Sequence, residues 1–139
     1  MSEAPVVDRP TVSVTHEGGD KFEITIRDHT VTVDQPEAMG GEDTAPTPTE
    51  LFVASLASCA AFYARRYLAR HSLPVEGLRV ETSYEMGTKP SRVSSFNINV
   101  HLPEGVPEER YDALLAMINH CTVHSTLTHE PDVTIELVG

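Results

Sequence analysis

Two cysteines are the residues of this sequence best suited to carry out chemistry. Cys59 stands among small side chains in residues 57–61, and Cys121 stands in the histidine-containing stretch 120–125. Two thiols are too few for a disulfide scaffold or a four-cysteine zinc site. In a reducing compartment they are inert core residues, a redox pair, or part of a mixed metal site. The sequence leaves these alternatives open, because it does not give the distance between the two Cα atoms that a disulfide requires.

Histidines beside Cys121 are the basis of the metal alternative. His120 and His124 flank this cysteine, and Cys59 could add a second sulfur. Only Cys121 and His124 are favourably spaced, and neither a CxxC nor an HExxH pattern occurs. No phosphate-binding or dinucleotide-binding glycine motif occurs either. The sequence therefore predicts no metal and no cofactor.

A nucleophilic cysteine also needs a lowered pKa, and this sequence offers few cations that could lower it. Cys59 is expected about three turns into a helix, where the helix dipole gives little help because its effect fades within the first turn. Arg27, expected on the polar face of an N-terminal strand, is one candidate cation. Arg66, two turns beyond Cys59 on the same helical face, is another. Arginines at such positions are more often solvated surface residues.

Glu50 is the candidate carboxylate, and it has a competing structural role. Thr47, Pro48 and Glu50 match a capping box, with Thr at the N-cap, Pro at the first helical position and Glu at the third. Nine residues at about 100° each place Glu50 opposite Cys59 on the helix and ~13.5 Å away along its axis. Within one chain the two side chains cannot touch. A role for Glu50 at the thiol therefore requires a subunit interface, and the spacing favours the capping role.

The first part of the chain is predicted to form a β-meander that leads into this helix. Apolar and polar residues alternate before residue 34, with a half-buried strand ending near Arg27. Residues 35–47 form a loop rich in glycine and proline, and loops of this length are either functional or mobile. Its adjacent glycines, Gly40 and Gly41, are typical of a turn rather than of a phosphate-binding loop. The helix then extends to about His71.

The second part of the chain is predicted to contain two antiparallel strands, a second helix and a last strand. The two strands are joined by residues 87–90. The second helix begins at Pro107 and carries Cys121 on its apolar face. Alternating apolar residues at 133, 135 and 137 predict the last strand. The order β-β-β-α-β-β-α-β indicates an α+β fold, with two core helices packed on antiparallel sheet.

Length and charge limit the classes of protein to consider. The 139 residues are enough for one domain, predicted over residues 11–139 after a flexible N-terminal arm at residues 1–10. A net charge of -11 argues against nucleic acid and against an anionic membrane surface as partners. No apolar run reaches the ~18 residues of a membrane span, and no signal peptide is visible, so we expect a cytoplasmic protein.

The first helix predicts a homodimer. From Leu51 to Leu68 its residues are apolar or small on nearly every side. A helix that is apolar all round must be buried all round, which a chain of this size with two helices does not readily provide. A second copy of the chain would cover the remaining face.

Three stretches of the sequence resemble the OsmC/Ohr family (osmotically induced protein C and organic hydroperoxide resistance protein). The stretch from Thr47 to Cys59 is similar to the first cysteine helix of that family, and residues 34–41 are similar to the preceding loop in one subgroup. Cys121 and the following TVHSTL resemble its second cysteine motif, C-P-V-x-N/H-x-L. The order of elements agrees from about Val12 to Val138.

The resemblance implies an intertwined α+β homodimer with thiol peroxidase activity at two interfacial sites. Cys59 matches the peroxidatic cysteine, whose thiolate attacks the O–O bond of a hydroperoxide and becomes a sulfenic acid. Cys121 matches the resolving cysteine, which forms a disulfide with it. A small dithiol such as dihydrolipoamide then restores both thiols. The expected function is therefore reduction of organic hydroperoxides and hydrogen peroxide in oxidative stress defence.

Three positions depart from the pattern of the active family members. Their glutamate stands ten residues before the first cysteine, where this chain has Thr49, and the carboxylate here is at Glu50. They also carry an arginine early in the N-terminal sheet, for which Arg27 is the available substitute. Thr122 stands where proline is usual. These departures are the basis of an alternative hypothesis, a non-catalytic redox-sensing or ligand-binding protein of the same fold.

Overall fold

The computed structural model describes residues 9–139, so most of the predicted N-terminal arm lies outside the described residues. The chain divides into two compact units, one ending at Leu51 and the other extending from Phe52 to Gly139. The prediction of a single domain over residues 11–139 stays a prediction. No helix in the described part of the chain is both long and apolar enough to cross a membrane.

The first unit contains the predicted β-meander. Strands β1 (Val12–Gly18), β2 (Lys21–Ile26) and β3 (His29–Val33) form one antiparallel sheet in the order β1-β2-β3. Arg27 was expected on a strand, but it lies in the two-residue turn between β2 and β3, where its φ of 53° is left-handed. The apolar side chains of β2 are partly buried in the single chain, where Phe22 and Ile26 are each 37% exposed.

A loop closed by Asp34 connects this sheet to the first helix. The Asp34 carboxylate is 1% exposed and accepts hydrogen bonds from the Thr44 hydroxyl at 2.7 Å, the Thr44 amide at 3.0 Å and the Gln35 amide at 2.7 Å. The Asp34 amide donates to the Pro46 carbonyl at 3.1 Å, which closes the base of the loop. A Cβ at Gly41 would overlap the Gln35 carbonyl, so this position requires glycine. The glycines therefore shape a tied loop, as expected of turn formers.

Helix α1 (Pro48–Arg70) begins at the predicted capping box. The Thr47 amide donates to Glu50 Oε1 at 2.9 Å, and the Glu50 amide donates to Thr47 Oγ1 at 3.1 Å. Two N–H groups that the helix cannot pair internally are thus satisfied. Only one stripe of α1 is buried in the single chain, formed by Val53, Leu56, Ala60, Ala64, Tyr67 and Leu68. The opposite side stays open, with Phe62 53% exposed.

The second unit is built on a long antiparallel hairpin. Strands β4 (Arg79–Gly87) and β5 (Arg92–His101) pair over their whole length, as predicted. The C-terminal half of α1 packs in a core with Val106 and Leu114, where Leu68 and Ala64 are fully buried. Because apolar burial contributes roughly 25 cal/mol per Å², this cluster is the main stabilising element of the unit.

The segment that carries Cys121 differs from the prediction. A 3₁₀ turn (Glu108–Arg110) leads into helix α2 (Tyr111–Asn119), and a third helix, α3, spans Thr122–Thr128. Cys121 was expected on the apolar face of a single second helix, but it lies in the break between α2 and α3. Its backbone is extended, with φ -53° and ψ 132°, and it serves as the N-cap of α3. Apolar periodicity continues through the break and therefore could not reveal it.

The predicted last strand is not formed. Residues 130–139 adopt neither helix nor strand, and Ile135 and Leu137 are 88% and 98% exposed. The alternating pattern is typical of a strand, but a strand also needs an edge with which to exchange hydrogen bonds. The observed element order is therefore β-β-β-α-β-β-α-α. The α+β class with antiparallel sheets is confirmed, with three α-helices rather than two.

The loop around Asp34 generates a prediction about acid stability. Hydrogen bonds, first from the Thr44 hydroxyl, lower the pKa of Asp34 from 3.8 to about 2. A carboxyl whose folded-state pKa is depressed stabilises the fold above its unfolded pKa, and this contribution is lost as the pH falls through the folded pKa. We expect wild-type stability to fall between about pH 4 and pH 2 more steeply than that of Asp34→Asn, measured by urea unfolding.

Asp132→Asn is the matched control, because it removes one carboxylate from the exposed C-terminal segment. It should follow the wild-type pH dependence in this window. If the free energy of unfolding fell equally steeply with pH in Asp34→Asn and in wild type, the lowered pKa assigned to Asp34 would be contradicted.

Candidate active site

The structure brings the two cysteines together inside the second unit. Cys59 lies on α1 and is partly buried, whereas Cys121 is 1% exposed at the N-terminus of α3. Both are free thiols, and the Cys59 side chain is the neighbouring thiol that acts on the pKa of Cys121. The more accessible sulfur is therefore that of Cys59, and the protected sulfur of Cys121 lies next to it. This arrangement suits a pair in which one thiol meets an oxidant and the other forms a disulfide.

Opposing effects act on the Cys121 thiol. Burial raises the pKa of Cys121 above its ordinary value of 9.0, and the hydrogen bond with Cys59 raises it further. The backbone amides of His124 and Val123, in the first turn of α3, act in the opposite direction. The net direction is upward, so Cys121 remains protonated at neutral pH and can donate its S–H to Cys59.

Two cavities with largely apolar walls lie in this region, one of them beside Cys121. One of about 150 Å³ is bounded by Cys121 and His124, with apolar walls from Leu56, Ala60 and Ile98. A larger one of about 610 Å³ shares Leu56, Ile98 and His124 and extends toward the other end of β5. The shared residues place the two cavities next to each other. A small molecule with an apolar part therefore has room beside Cys121.

A second contact joins the same two elements, and the sequence analysis missed it. The hydroxyl of Tyr63 lies 3.2 Å from Oγ1 of Thr122. Tyr63 stands one helical turn after Cys59, and Thr122 directly follows Cys121. The only signal in the sequence is the four-residue spacing from Cys59 to Tyr63, which places both on one face of a helix. Because the hydrogen bond joins residues far apart in the chain, that spacing could not identify the partner.

Each of the three predicted charged residues has an exposed side chain in the single chain. Glu50 lies in the first turn of α1, exposed and bound to Thr47, ~13.5 Å along the helix from Cys59. Arg27 is exposed in the β2–β3 turn of the first unit. Arg66 is exposed on α1. The capping role of Glu50 is therefore observed, and a catalytic role for Glu50 or Arg27 stays a prediction.

The metal alternative finds no geometric support in the residues that the structure describes. Across residues 9–139, no group of three or more His, Cys, Asp and Glu side chains is placed to hold a metal ion. His120 is exposed at the end of α2, whereas His124 is partly buried in α3. The two histidines that flank Cys121 therefore occupy different elements.

Comparison with known proteins identifies the family. The family model described as OsmC-like protein matches residues 40–136, which is most of the chain. The chain therefore belongs to the OsmC-like family, and the resemblance inferred from its cysteine motifs is confirmed. Among curated proteins, none matches this chain.

Solved structures share the fold at low sequence identity. A Psychrobacter arcticus protein named for osmotic stress induction and a detoxification response has a TM-score of 0.80 at 21% identity, over 87% of this chain and 90% of the other. An OsmC-like protein from Mycoplasma pneumoniae gives 0.75 at 13%, over 90% and 91%. An organic hydroperoxide resistance protein from Elizabethkingia anophelis gives 0.65 at 17%, over 88% and 91%. At these identities the similarity shows the fold alone.

The environment of Cys121 generates a prediction about thiol titration. In wild type, the pH dependence of Cys121 alkylation by iodoacetamide should have its midpoint above 9.0, because burial and Cys59 both raise the pKa. Cys59→Ala should move this midpoint downward while leaving it raised, since burial is the larger cause. Peptide mass spectrometry after timed quenching measures the midpoint.

Ser58→Ala is the control, because this exposed neighbour bonds only within its own helix, to the Ser55 carbonyl. Its Cys121 midpoint should equal that of wild type. An unchanged midpoint in Cys59→Ala would mean that the two thiols do not interact in solution.

Proposed function

We propose that the protein is a thiol-dependent peroxidase that reduces organic hydroperoxides, and hydrogen peroxide, through Cys59 and Cys121. The observation that carries this proposal is the contact between an accessible thiol and a buried, protonated one in an OsmC-like fold. The name of the Elizabethkingia anophelis structure, an organic hydroperoxide resistance protein, supports the choice of substrate class.

In the proposed first step, the Cys59 thiolate attacks the distal oxygen of ROOH. A new S–O bond forms as the O–O bond breaks, so sulfur is oxidised to the sulfenic acid and the peroxide is reduced to ROH after taking up a proton. The Cys121 thiol, whose pKa is raised by burial, stays protonated next to the attacking sulfur during this step. The cavity beside Cys121 accommodates the organic group.

In the proposed second step, the Cys121 sulfur attacks the sulfenic sulfur of Cys59. The S–S bond forms as the S–O bond breaks, and water leaves with the proton that Cys121 releases. A small dithiol such as dihydrolipoamide then reduces the disulfide by exchange and is itself oxidised to a cyclic disulfide. The cycle returns both cysteines to free thiols, which fits the reducing cytoplasm expected from the sequence.

We further propose that the working form is a homodimer and that Glu50 and Arg27 support the thiolate across its interface. The exposed side of α1, including Phe62, and the exposed apolar residues Ile135 and Leu137 are surfaces that a second copy would cover. Within one chain Glu50 lies too far along α1 to reach Cys59. The carboxylate can therefore act on a thiol only if that thiol belongs to the partner subunit.

A specific observation favours one alternative function. The Glu50 carboxylate already satisfies the Thr47 amide, and Arg27 occupies an exposed turn. A chain that keeps both thiols but has no carboxylate and arginine dedicated to supporting the thiolate could sense oxidation or bind a ligand instead of reducing peroxide catalytically. Such a protein would form the Cys59–Cys121 disulfide in stoichiometric amounts but would not consume peroxide in the presence of a dithiol.

Peroxide consumption separates these two functions. With dihydrolipoamide as reductant, the wild-type protein should consume tert-butyl hydroperoxide catalytically, and Cys59→Ser should abolish the activity because the attacking sulfur is gone. Intact mass after stoichiometric peroxide should show a loss of two hydrogens in wild type and added oxygen in Cys121→Ser. Disulfide formation without turnover would replace the peroxidase proposal with the alternative.

A matched pair of variants separates the two roles of Glu50. Glu50→Gln keeps an oxygen that can accept the Thr47 amide but removes the charge, so stability should change little while turnover falls and its pH profile shifts. Thr47→Ala removes the hydroxyl that caps α1 and leaves the carboxylate, so stability should fall by roughly 0.5–2 kcal/mol with turnover retained at low temperature. Urea unfolding and steady-state kinetics on both variants measure these effects. Unchanged turnover in Glu50→Gln would restrict Glu50 to capping.

A further inference from the structure

The hydrogen bond between Tyr63 and Thr122 joins the two elements that carry the thiols. Each partner is close in the chain to one cysteine, Tyr63 one turn beyond Cys59 on α1 and Thr122 directly after Cys121. The bond therefore lies beside the thiol pair. Any movement of the N-terminus of α3 away from α1 would have to break it.

Cys121 needs such a restraint because it lies in a break between helices. Its amide donates to the Ile118 carbonyl at 3.0 Å, and its carbonyl accepts from Ser125 at 2.9 Å. These bonds fix Cys121 to α2 and α3 but not to α1. Among the described residues, the hydrogen bond from α1 to residues 120–122 is that between Tyr63 and Thr122, and it lies beside the two neighbouring thiols. Oxidation of Cys59 alters the thiol contact by adding an oxygen to one sulfur, but it leaves both hydroxyls unchanged.

We propose that Tyr63 and Thr122 are a positioning pair that holds Cys121 within reach of Cys59 during the disulfide-forming step. This inference rests on the proposed two-cysteine cycle and concerns its second step alone. Neither hydroxyl needs to touch the peroxide, so the first step should proceed without them. Proline, the usual residue at position 122 in the family that the sequence resembles, has no hydroxyl, so the pair is a property of this chain.

Loss of the pair has a chemical consequence. When Cys121 is slow to reach the sulfenic acid, a second ROOH can oxidise it, adding one oxygen to give the sulfinic acid and releasing ROH. The sulfinic acid no longer forms the disulfide, so the enzyme is inactivated. The positioning pair therefore protects Cys59 from over-oxidation in proportion to how closely it holds Cys121.

The test uses substitutions that remove one hydroxyl at a time. Thr122→Val and Tyr63→Phe each delete one partner with little change of shape, and Thr122→Ser keeps the hydroxyl as the conservative rescue. Tyr84→Phe controls for loss of a phenol elsewhere. Thr126→Val controls for loosening of α3, because the Thr126 hydroxyl bonds only to the Thr122 carbonyl of its own helix.

The first readout is the disulfide equilibrium in a buffer of reduced and oxidised dithiothreitol, without peroxide. Removal of a pre-organising hydrogen bond should lower the equilibrium constant for the disulfide about three- to ten-fold in Thr122→Val and in Tyr63→Phe. Thr122→Ser and both controls should match wild type. The double variant should equal the single variants rather than their sum, because both act on one bond.

The second readout is peroxide titration followed by intact mass. Thr122→Val and Tyr63→Phe should reach the mass of the sulfinic acid at several-fold lower peroxide than wild type, while the initial rate of Cys59 oxidation stays the same. A general loss of structure would slow both steps and would also appear in the Thr126→Val control.

The outcomes separate this inference from the proposed function. The positioning pair would be overturned if Thr122→Val and Tyr63→Phe both kept the wild-type equilibrium constant for the disulfide. It would also be overturned if Thr122→Ser were as impaired as Thr122→Val. A wild-type protein that forms the disulfide in the redox buffer but consumes no peroxide would overturn the peroxidase alone. A wild-type protein that forms no disulfide in this buffer would overturn both.

Discussion

The contact between Cys59 and Cys121 depends on how closely α1 can pass the break between α2 and α3. A small side chain makes that approach possible, since Ala60 is almost completely buried next to Cys59. Leu56, also buried, lies one turn before Cys59. The core formed by Ala64, Leu68 and Leu114 fixes the other end of the same face. The thiol pair is thus positioned by ordinary helix packing, with rows of residues three and four apart forming the buried stripe.

Electrostatics at the pair is governed by burial and by hydrogen bonds rather than by an adjacent cation of the same chain. Desolvation keeps Cys121 neutral, and the amides at the start of α3 reduce this effect without reversing it. A neutral donor beside a more accessible sulfur gives the two cysteines different properties although they are chemically identical residues. Their division of roles therefore follows from depth in the fold, which places the oxidant-accessible thiol on the long helix.

Sequence reasoning identified the features that depend on local spacing. The capping box of Thr47 and Glu50, the two hairpins and the long helix follow from short-range patterns, and the structure contains all of them. It failed at Cys121, because apolar periodicity continues across a helix break that is only two residues long. It also failed for Tyr63 and Thr122, since a hydrogen bond between residues far apart in the chain leaves no periodic signal. The predicted last strand needed a hydrogen-bonding edge that alternation alone does not supply.

The loop closed by Asp34 bears on how the chain tolerates changes of length. Its two ends are joined by the bond from the Asp34 amide to the Pro46 carbonyl, and Thr44 is held by the carboxylate. Residues between these anchors can be added at a cost that grows only with the logarithm of loop length, about 0.6 kcal/mol for each doubling. The Met39 side chain at the tip is 71% exposed, whereas Gly41 has no room for a Cβ and Asp34 and Thr44 are hydrogen bonded to each other. Within about a dozen residues, this loop therefore combines positions that specific contacts restrict with a position where substitution should disturb little.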